Sequence, residues 1–342
     1  MYNSLLLHHD VQSHSTELPF SQCQTVIEIE RLVQYIMKSY KPIPLSPFRP
    51  MKRACFDRYF LSILKSLPRY LSVYSPAYQY SPHLEVFWQA CTDVGLLSPQ
   101  SLQIWVKHSF WLMNMGLVIR LCDQIALYTR SQRFHAELSQ RRYQVRENAK
   151  SLLSFATELH ADYSRLLVVR VDLGYLEEFS HLIRIENVLQ HRKRLFRMRE
   201  YHPTFKYWIA QAWTIEQGGK TGGYHIHAVF YFRGDERQSD WAIGRDIGEL
   251  WNQVTLYGRY HNCNTPEYKA RFERQGTLGI GMIHRDDAAQ VQSAINRVSY
   301  LSDPTKENQH LRVRPIGSRT FGFGRKGTRK PAKRHAGGAR HV

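Results

Sequence analysis

FKYWIAQAWTIEQGGKTGGYHIHAVFYF, residues 205–232, reads as a β-hairpin. Phe205–Glu216 and Tyr224–Phe232 carry the aromatic and β-branched residues that suit a pleated, half-buried surface. Between them Gln217–Gly223 is a glycine-rich turn, and its glycines allow the positive φ angles that hairpin loops need. Alternate side chains of a strand share a face. His225, His227, Val229 and Tyr231 therefore point one way, and Ile226, Ala228, Phe230 and Phe232 point the other, into a core. Closing the hairpin brings Glu216 beside the two histidines. Two imidazoles and a carboxylate with open positions suit a divalent ion that also holds substrate oxygen. Oxygen and water ligands favour Mg²⁺ or Mn²⁺, and the imidazoles tilt the choice toward Mn²⁺. Glu216, His225 and His227 are the expected metal ligands.

Outward from the hairpin, Leu166–Leu173 (LLVVRVDL) reads as a further strand, and Thr277–Ile283 as a short one. Glu177–Glu200 has the pattern of one amphipathic, basic helix. Ser239–Leu256 is a helix with Ile243, Ile247, Leu250 and Val254 on one side. Asp286–Ser302 is another, with Val291, Ile295 and Val298 facing a core, an Asp286 or Asp287 cap, and Pro304 beyond its end. Strands flanked by helices in this order predict an α+β domain, a central antiparallel sheet covered by helices. It is preceded by a mostly helical region, residues 1–160. There Thr25–Tyr40, Glu85–Gly95 and Ser101–Leu127 have helical periodicity, Arg130–Lys150 reads as a solvated helix, and prolines at 42–50 and 76–82 interrupt. The expected division is 1–160, 161–325, and a basic, disordered tail from 326 to 342.

The chain has 342 residues and a formal net charge of +18, which favours a polyanionic partner because each phosphate neutralised releases bound counterions. Ser109–Ile119 is too short to span a bilayer, and the first residues lack the pattern of a secretory signal. Five scattered cysteines without a Cys-x-x-Cys pair argue against a zinc ribbon or a disulfide framework and fit a reducing cytoplasm.

Tyr300 is placed on the polar side of its helix with Ser293, Asn296 and Arg297. A tyrosine there can attack a phosphodiester and hold the DNA end as a phosphotyrosine. Its ordinary pKa near 10 requires a nearby cation or base. The order LLVVRVDL, a strand ending in Glu216, YHIHAVF and INRVSYLS resembles the HUH endonuclease superfamily, named for histidine–hydrophobic–histidine. More narrowly, residues 163–325 are similar to the replication-initiation proteins of filamentous phages (inoviruses), with their YagK/YfjJ-type C-terminal domain. ELWNQVTLYGRYHNCN around Trp251 and TFGFGR near the end add to the likeness.

The resemblance implies an HUH-type fold and a rolling-circle replication initiator. Such a protein nicks single-stranded DNA at an origin, stays on the 5′ phosphate through tyrosine, and leaves a 3′ hydroxyl for a host polymerase and helicase. By it, His225, His227 and Glu216 hold Mg²⁺ or Mn²⁺, and Tyr300 is the nucleophile. The family often has lysine three residues after the tyrosine. Here that residue is Asp303, and Lys306, beyond Pro304, is the candidate for the role. Arg297, Arg325, Lys326, Arg329 and Lys330 are candidate DNA contacts. The alternatives are a DNA-binding regulator that keeps the fold without the chemistry, an HUH transposase, or a small-molecule metal hydrolase. None of these readings needs a membrane.

Overall fold

The structure, a computed structural model, describes residues 20–41, 65–98, 115–218, 223–302 and 310–326. Its centre is an antiparallel sheet built on β2 (Arg165–Tyr175), β3 (Trp208–Gln217) and β4 (Tyr224–Arg233). The predicted hairpin is β3–β4, with Glu216 opposite His225 and Thr214 opposite His227. On the other side of β4, Asp172 of β2 lies opposite His227 and Arg170 opposite Val229. β5 (Gly258–Asn262) and β6 (Gly281–His284) share the outer edge of β2. β5 pairs near its end and β6 near its start. β8 (Phe321–Arg325) forms the opposite edge, against β3.

Both faces of the sheet are covered. Ile226, Ala228, Phe230 and Phe232 point into a large core with Leu167, Val169, Val171 and Leu173 of β2. Two amphipathic helices, α6 (Ile185–Arg197) and α7 (Asp240–Thr255), bring Val188, Leu195, Ile243 and Ile247 to it. Phe230 is fully buried there, edge-on to Phe196, and its truncation to alanine would cost about 3–5 kcal/mol. The opposite face carries a second core. Leu166, Val168, Ala210, Ala212, Val229 and Tyr231 pack under two helices, α5 (Gln132–Asp162) and α9 (Ala288–Ser299). The fold is therefore α+β, an antiparallel sheet flanked by helices.

The N-terminal region is helical: α1 (Gln22–Ser39), the short α2 (Leu67–Leu71), α3 (Pro82–Asp93) and α4 (Met115–Thr129). Residues of these helices, among them Ile29, Leu32, Phe87 and Ile125, belong to the same core as Ile226 and Phe230. Gln22 of α1 accepts from the Ile185 amide and from the Tyr224 hydroxyl, which ties helix to sheet. β1 (Tyr78–Tyr80) pairs with β7 (Val313–Pro315), so the N-terminal region is also joined to the strand that precedes β8.

Three elements differ from the sequence reading. The solvated helix expected to end at Lys150 runs on to Asp162, because Leu152, Phe155, Ala156 and Leu159 recur at helical spacing and meet the sheet. The single helix expected over 177–200 is a 3₁₀ segment, Glu177–Leu182, followed by α6. The break holds because Asn187 accepts from the Arg184 amide and Gln22 from the Ile185 amide. Tyr300 stands just past the helix, opening a 3₁₀ turn, Tyr300–Ser302.

α7 lies close on β5 because Gly248 has no side chain. A Cβ there would sit 2.2 Å from Cδ2 of Tyr260. Leu256 takes a left-handed conformation (φ 64°) after α7, and the chain turns directly into β5. No helix among the described residues is long and apolar enough to cross a membrane. Cys23, Cys91, Cys122 and Cys263 are buried and form no disulfide among the described residues, and Cys55 lies outside them.

Candidate metal centre

The second core ends at Val229, and the strand continues past it with His227 and His225. Their side chains are only 12% and 17% exposed, so little solvent screens them. Glu216, still more deeply buried, reaches both rings from the paired strand. One of its oxygens, Oε2, lies 3.2 Å from Nε2 of His227 and 3.4 Å from Nε2 of His225. The three ligand atoms lie within 4.8 Å of one another. The hairpin thus brings together the three residues that the sequence nominated.

A fourth residue completes the arrangement. Nδ1 of His227 lies 2.7 Å from Oδ1 of Asp172 on β2. Arg170 Nη2 lies 3.5 Å from the same nitrogen, and the much closer carboxylate decides its state. Nδ1 therefore carries the proton and donates it to Asp172, and the Nε2 lone pair faces Glu216. Two acceptors 3.2 Å apart repel unless a cation lies between them. That cation is a proton on Nε2 or a metal ion, so the donor set fits a divalent ion held by one carboxylate and two imidazoles.

Asp172 is itself held. Arg170, almost fully buried two residues earlier on the same face, donates from Nε to Oδ1 (3.2 Å) and from Nη2 to Oδ2 (3.3 Å). Burial alone would raise the Asp172 pKa, but Arg170 and His227 hold it far below the ordinary carboxylate range. Burial alone would lower the His227 pKa, but Asp172 and Glu216 raise it above its ordinary value. Carboxylates behind histidine ligands fix the tautomer and raise the basicity of the ligating nitrogen. Asn264 fixes the β2 backbone here, accepting from the Arg170 amide and donating to its carbonyl.

A cation and a further imidazole stand beside the centre. Arg259 and His261 of β5 are exposed on the same face, His261 opposite Asp172 and Arg259 opposite Gly174. Gly174 separates Arg259 from His225. A Cβ there would lie 3.8 Å from both Nε of Arg259 and Cβ of His225. The row from Arg259 to Glu216 is thus open across Gly174.

Tyr300 is 44% exposed at the end of α9, the helix that covers this face, with Leu301 and Ser302 buried beneath it. Arg297, one turn earlier, lies in the electrostatic neighbourhood of Tyr300, Tyr268, Cys263 and Arg170. Its guanidinium lies over Phe272, 3.9 Å from the centroid, and donates to the Thr277 carbonyl at 3.3 Å. Arg325 is not at this centre. It pairs with Asp162 and, at 3.9 Å, with Glu158, both on α5. Its register partner is Ala210, six residues from Glu216 and so about 20 Å along the strand. Lys326 is exposed at the same far end. Lys306, Asp303, Arg329 and Lys330 lie outside the described residues.

Sequence reading missed Asp172, Arg170, Arg259 and His261. Arg170 and Asp172 left a signal, two charges spaced by two inside the apolar run LLVVRVDL, on one face of a strand too buried to be solvated. Arg259 and His261 left none, because β5 was not recognised as a strand. No protein-family model, no curated protein and no solved structure matches this chain.

Proposed function

We propose that the protein is a metal-dependent, tyrosine-type DNA nickase, a rolling-circle initiator that cuts and rejoins single-stranded DNA. The observation that carries this reading is the convergence of Glu216, His225 and His227 on the face of the sheet covered by α9, the helix that leads into Tyr300. Glu216, His225 and His227 would hold Mg²⁺ or Mn²⁺. The ion would supply a Lewis acid at a phosphate oxygen and stabilise the charge that develops in the transition state. Asp172 and Arg170 keep the Nε2 lone pair of His227 aimed at the ion. Arg259 places a positive charge, and His261 an exposed imidazole, where the strand's phosphates would pass.

The Tyr300 hydroxyl gives its proton to water as Oη attacks the phosphorus, the bond from phosphorus to the 3′ oxygen breaks, and that oxygen leaves and takes a proton from water. The 5′ phosphate is then joined to Tyr300. Attack by a 3′ hydroxyl reverses these steps and rejoins the strand. The net charge of +18 supports a polyanionic substrate over a small molecule.

The test is a covalent-adduct assay with the full chain, Mn²⁺ and a pool of randomised single-stranded oligonucleotides, read on a denaturing gel. Wild type gives a protease-sensitive adduct, and Tyr300→Phe and His227→Ala give none. An adduct that persists in Tyr300→Phe removes Tyr300 as the nucleophile. Salt-dependent DNA binding without any adduct in wild type would leave a non-enzymatic DNA-binding protein instead, the outcome that Asp303 in place of lysine would explain.

A further inference from the structure

The face of the sheet away from the histidines has a second cationic feature, at the β8 edge. Phe321, Phe323 and Arg325 of β8 share the histidine face, so Gly322 and Gly324 lie on the other one. Their partners on β3 are Trp213 and Gln211. Beside these two residues the edge strand has no side chains. A Cβ at Gly322 would touch the Trp213 ring at 3.0 Å, whereas one at Gly324 would meet nothing within 4 Å. The result is an open shelf along the sheet edge, backed by tryptophan.

Two arginines border it. Arg192 of α6 lies over Trp213, 4.0 Å from the ring centroid, and Arg199 lies over Trp208 at 4.5 Å. The rings hold both guanidiniums partly out of water, an arrangement attractive to the cation and costly unless an anion completes it. Among the described residues no carboxylate comes within ion-pairing distance of Arg192, Arg199 or Arg319. Glu200 acts on Arg199 only at longer range. The arginines repel one another in sequence. Burial first, and then Arg319, lowers the Arg192 pKa, and burial and Arg192 contribute to bringing Arg199 to about 10.

Their hydrogen bonding is incomplete too. Nε of Arg192 and Nη1 of Arg199 are shielded from solvent and donate to no protein acceptor. The same patch holds Nε1 of Trp208 and Oε1 of Gln211, also shielded and without a partner. Three of the four are donors and two of those are charged, so the patch has donor capacity that no protein acceptor meets.

We propose that this shelf binds the phosphodiester backbone of a nucleic-acid strand, on the face opposite the metal centre. Arg319 neighbours Arg192, and Arg192 neighbours Arg199, with Arg192 over Trp213 and Arg199 over Trp208 of the same strand, a succession that suits a chain of phosphates better than one compact anion. The guanidinium fork matches phosphate oxygens, and the aromatic rings beneath keep it oriented without using its outer donors. The inference does not depend on the metal centre or on Tyr300.

The experiment measures binding of a fluorescent single-stranded oligonucleotide by anisotropy across a salt series, with EDTA present. In the Arg192→Leu/Arg199→Leu/Arg319→Ala triple variant, affinity should fall at least about tenfold at low salt. The slope of log affinity on log salt should shrink by roughly 2, since each phosphate contact to a single strand contributes about 0.7. Gly324→Glu puts a carboxylate on the shelf without a clash, and should weaken binding while Gly324→Gln does not. That pair keeps the test decisive if the triple variant fails to fold. An unchanged slope in a folded triple variant, or equal binding by the two Gly324 variants, overturns the proposal. So does specific stabilisation of wild type by inorganic phosphate, lost in the variant, with oligonucleotide affinity unaltered. Because no metal is present, failure of the nickase reading leaves these outcomes untouched.

Discussion

Replacing Asp172 tests whether the sheet prepares the histidines for an ion. Asp172 accepts Nδ1–H of His227 at 2.7 Å and both guanidinium donors of Arg170 at 3.2 and 3.3 Å. In Asp172→Asn one oxygen can still accept from His227, but the negative charge is gone and an NH₂ group faces Nη2 of Arg170. Asp172→Ala removes the acceptor as well, leaves the tautomer of His227 unfixed, and strands a buried guanidinium. Outer-shell changes of this kind cost about 10–100-fold in metal affinity. We expect about tenfold for Asn and up to about a hundredfold for Ala, or roughly 1.4 and 2.7 kcal/mol. Calorimetric titration of Mn²⁺ into the purified full chain measures this directly, without DNA and without turnover. Thermal melting of the metal-free proteins identifies any variant that has lost its fold, which is the greater risk for Ala because of Arg170. Folded Asn and Ala variants that bind Mn²⁺ as wild type does would refute the orienting role of Asp172. A wild type that binds no Mn²⁺ would refute the metal centre itself.

Mn²⁺ binding should also depend on pH in a stated direction. The ion needs the Nε2 lone pair of His227, whose pKa is raised, so affinity should fall with decreasing pH from a point above the ordinary value of 6.5. In Asp172→Asn that onset should move to lower pH, which titrations at a series of pH values would show. Metal-free protein should show the converse linkage. The stability that the imidazolium contributes is full below about pH 6.5 and is lost as pH rises through the raised value. Elsewhere, buried Glu30 pairs with Arg312 at 2.6 Å and His310 at 2.9 Å. Burial alone would raise its pKa, but His310, Arg312 and His83 bring it from 4.5 to about 2. The resulting stability, about 3 kcal/mol, is present above pH 4.5 and lost as pH falls toward 2. In Glu30→Gln the melting temperature should be lower at neutral pH and should lose that part of its acid dependence.

The hairpin was legible because two local signals agreed. Alternation put Ile226, Ala228, Phe230 and Phe232 on one face, and the glycine turn put Glu216 beside His225. A hairpin's register is fixed by its own loop, so its contacts can be derived from adjacent sequence. The contact of Asp172 with His227 spans 55 positions and depends on which strand β4 takes as its second neighbour. No local pattern specifies that choice. β8 was hidden for another reason. FGFGR carries two glycines, which weaken a strand when scored alone, and here they lie beside the Trp213 ring and the open shelf. The break in 177–200 was equally out of reach, since the acceptor for the Ile185 amide is Gln22, 163 residues away.

Gln217 follows Glu216 directly and is fully buried. Its side-chain amide donates to the Cys23 carbonyl on α1 and accepts from the Arg312 amide. The residue next to Glu216 is thus bolted to the first described helix and to the segment around Arg312. The half of the chain that builds the sheet is therefore not a cassette. A fragment cut at 161 would lose one partner of Gln217 and uncover the apolar side of Ile226 and Phe230. Grafting the hairpin onto another scaffold would carry His225 and His227 along but leave Glu216 without the fixed anchor beside it. Any transplant would have to move α1 and the hairpin together, although Cys23 and Gln217 lie 194 positions apart.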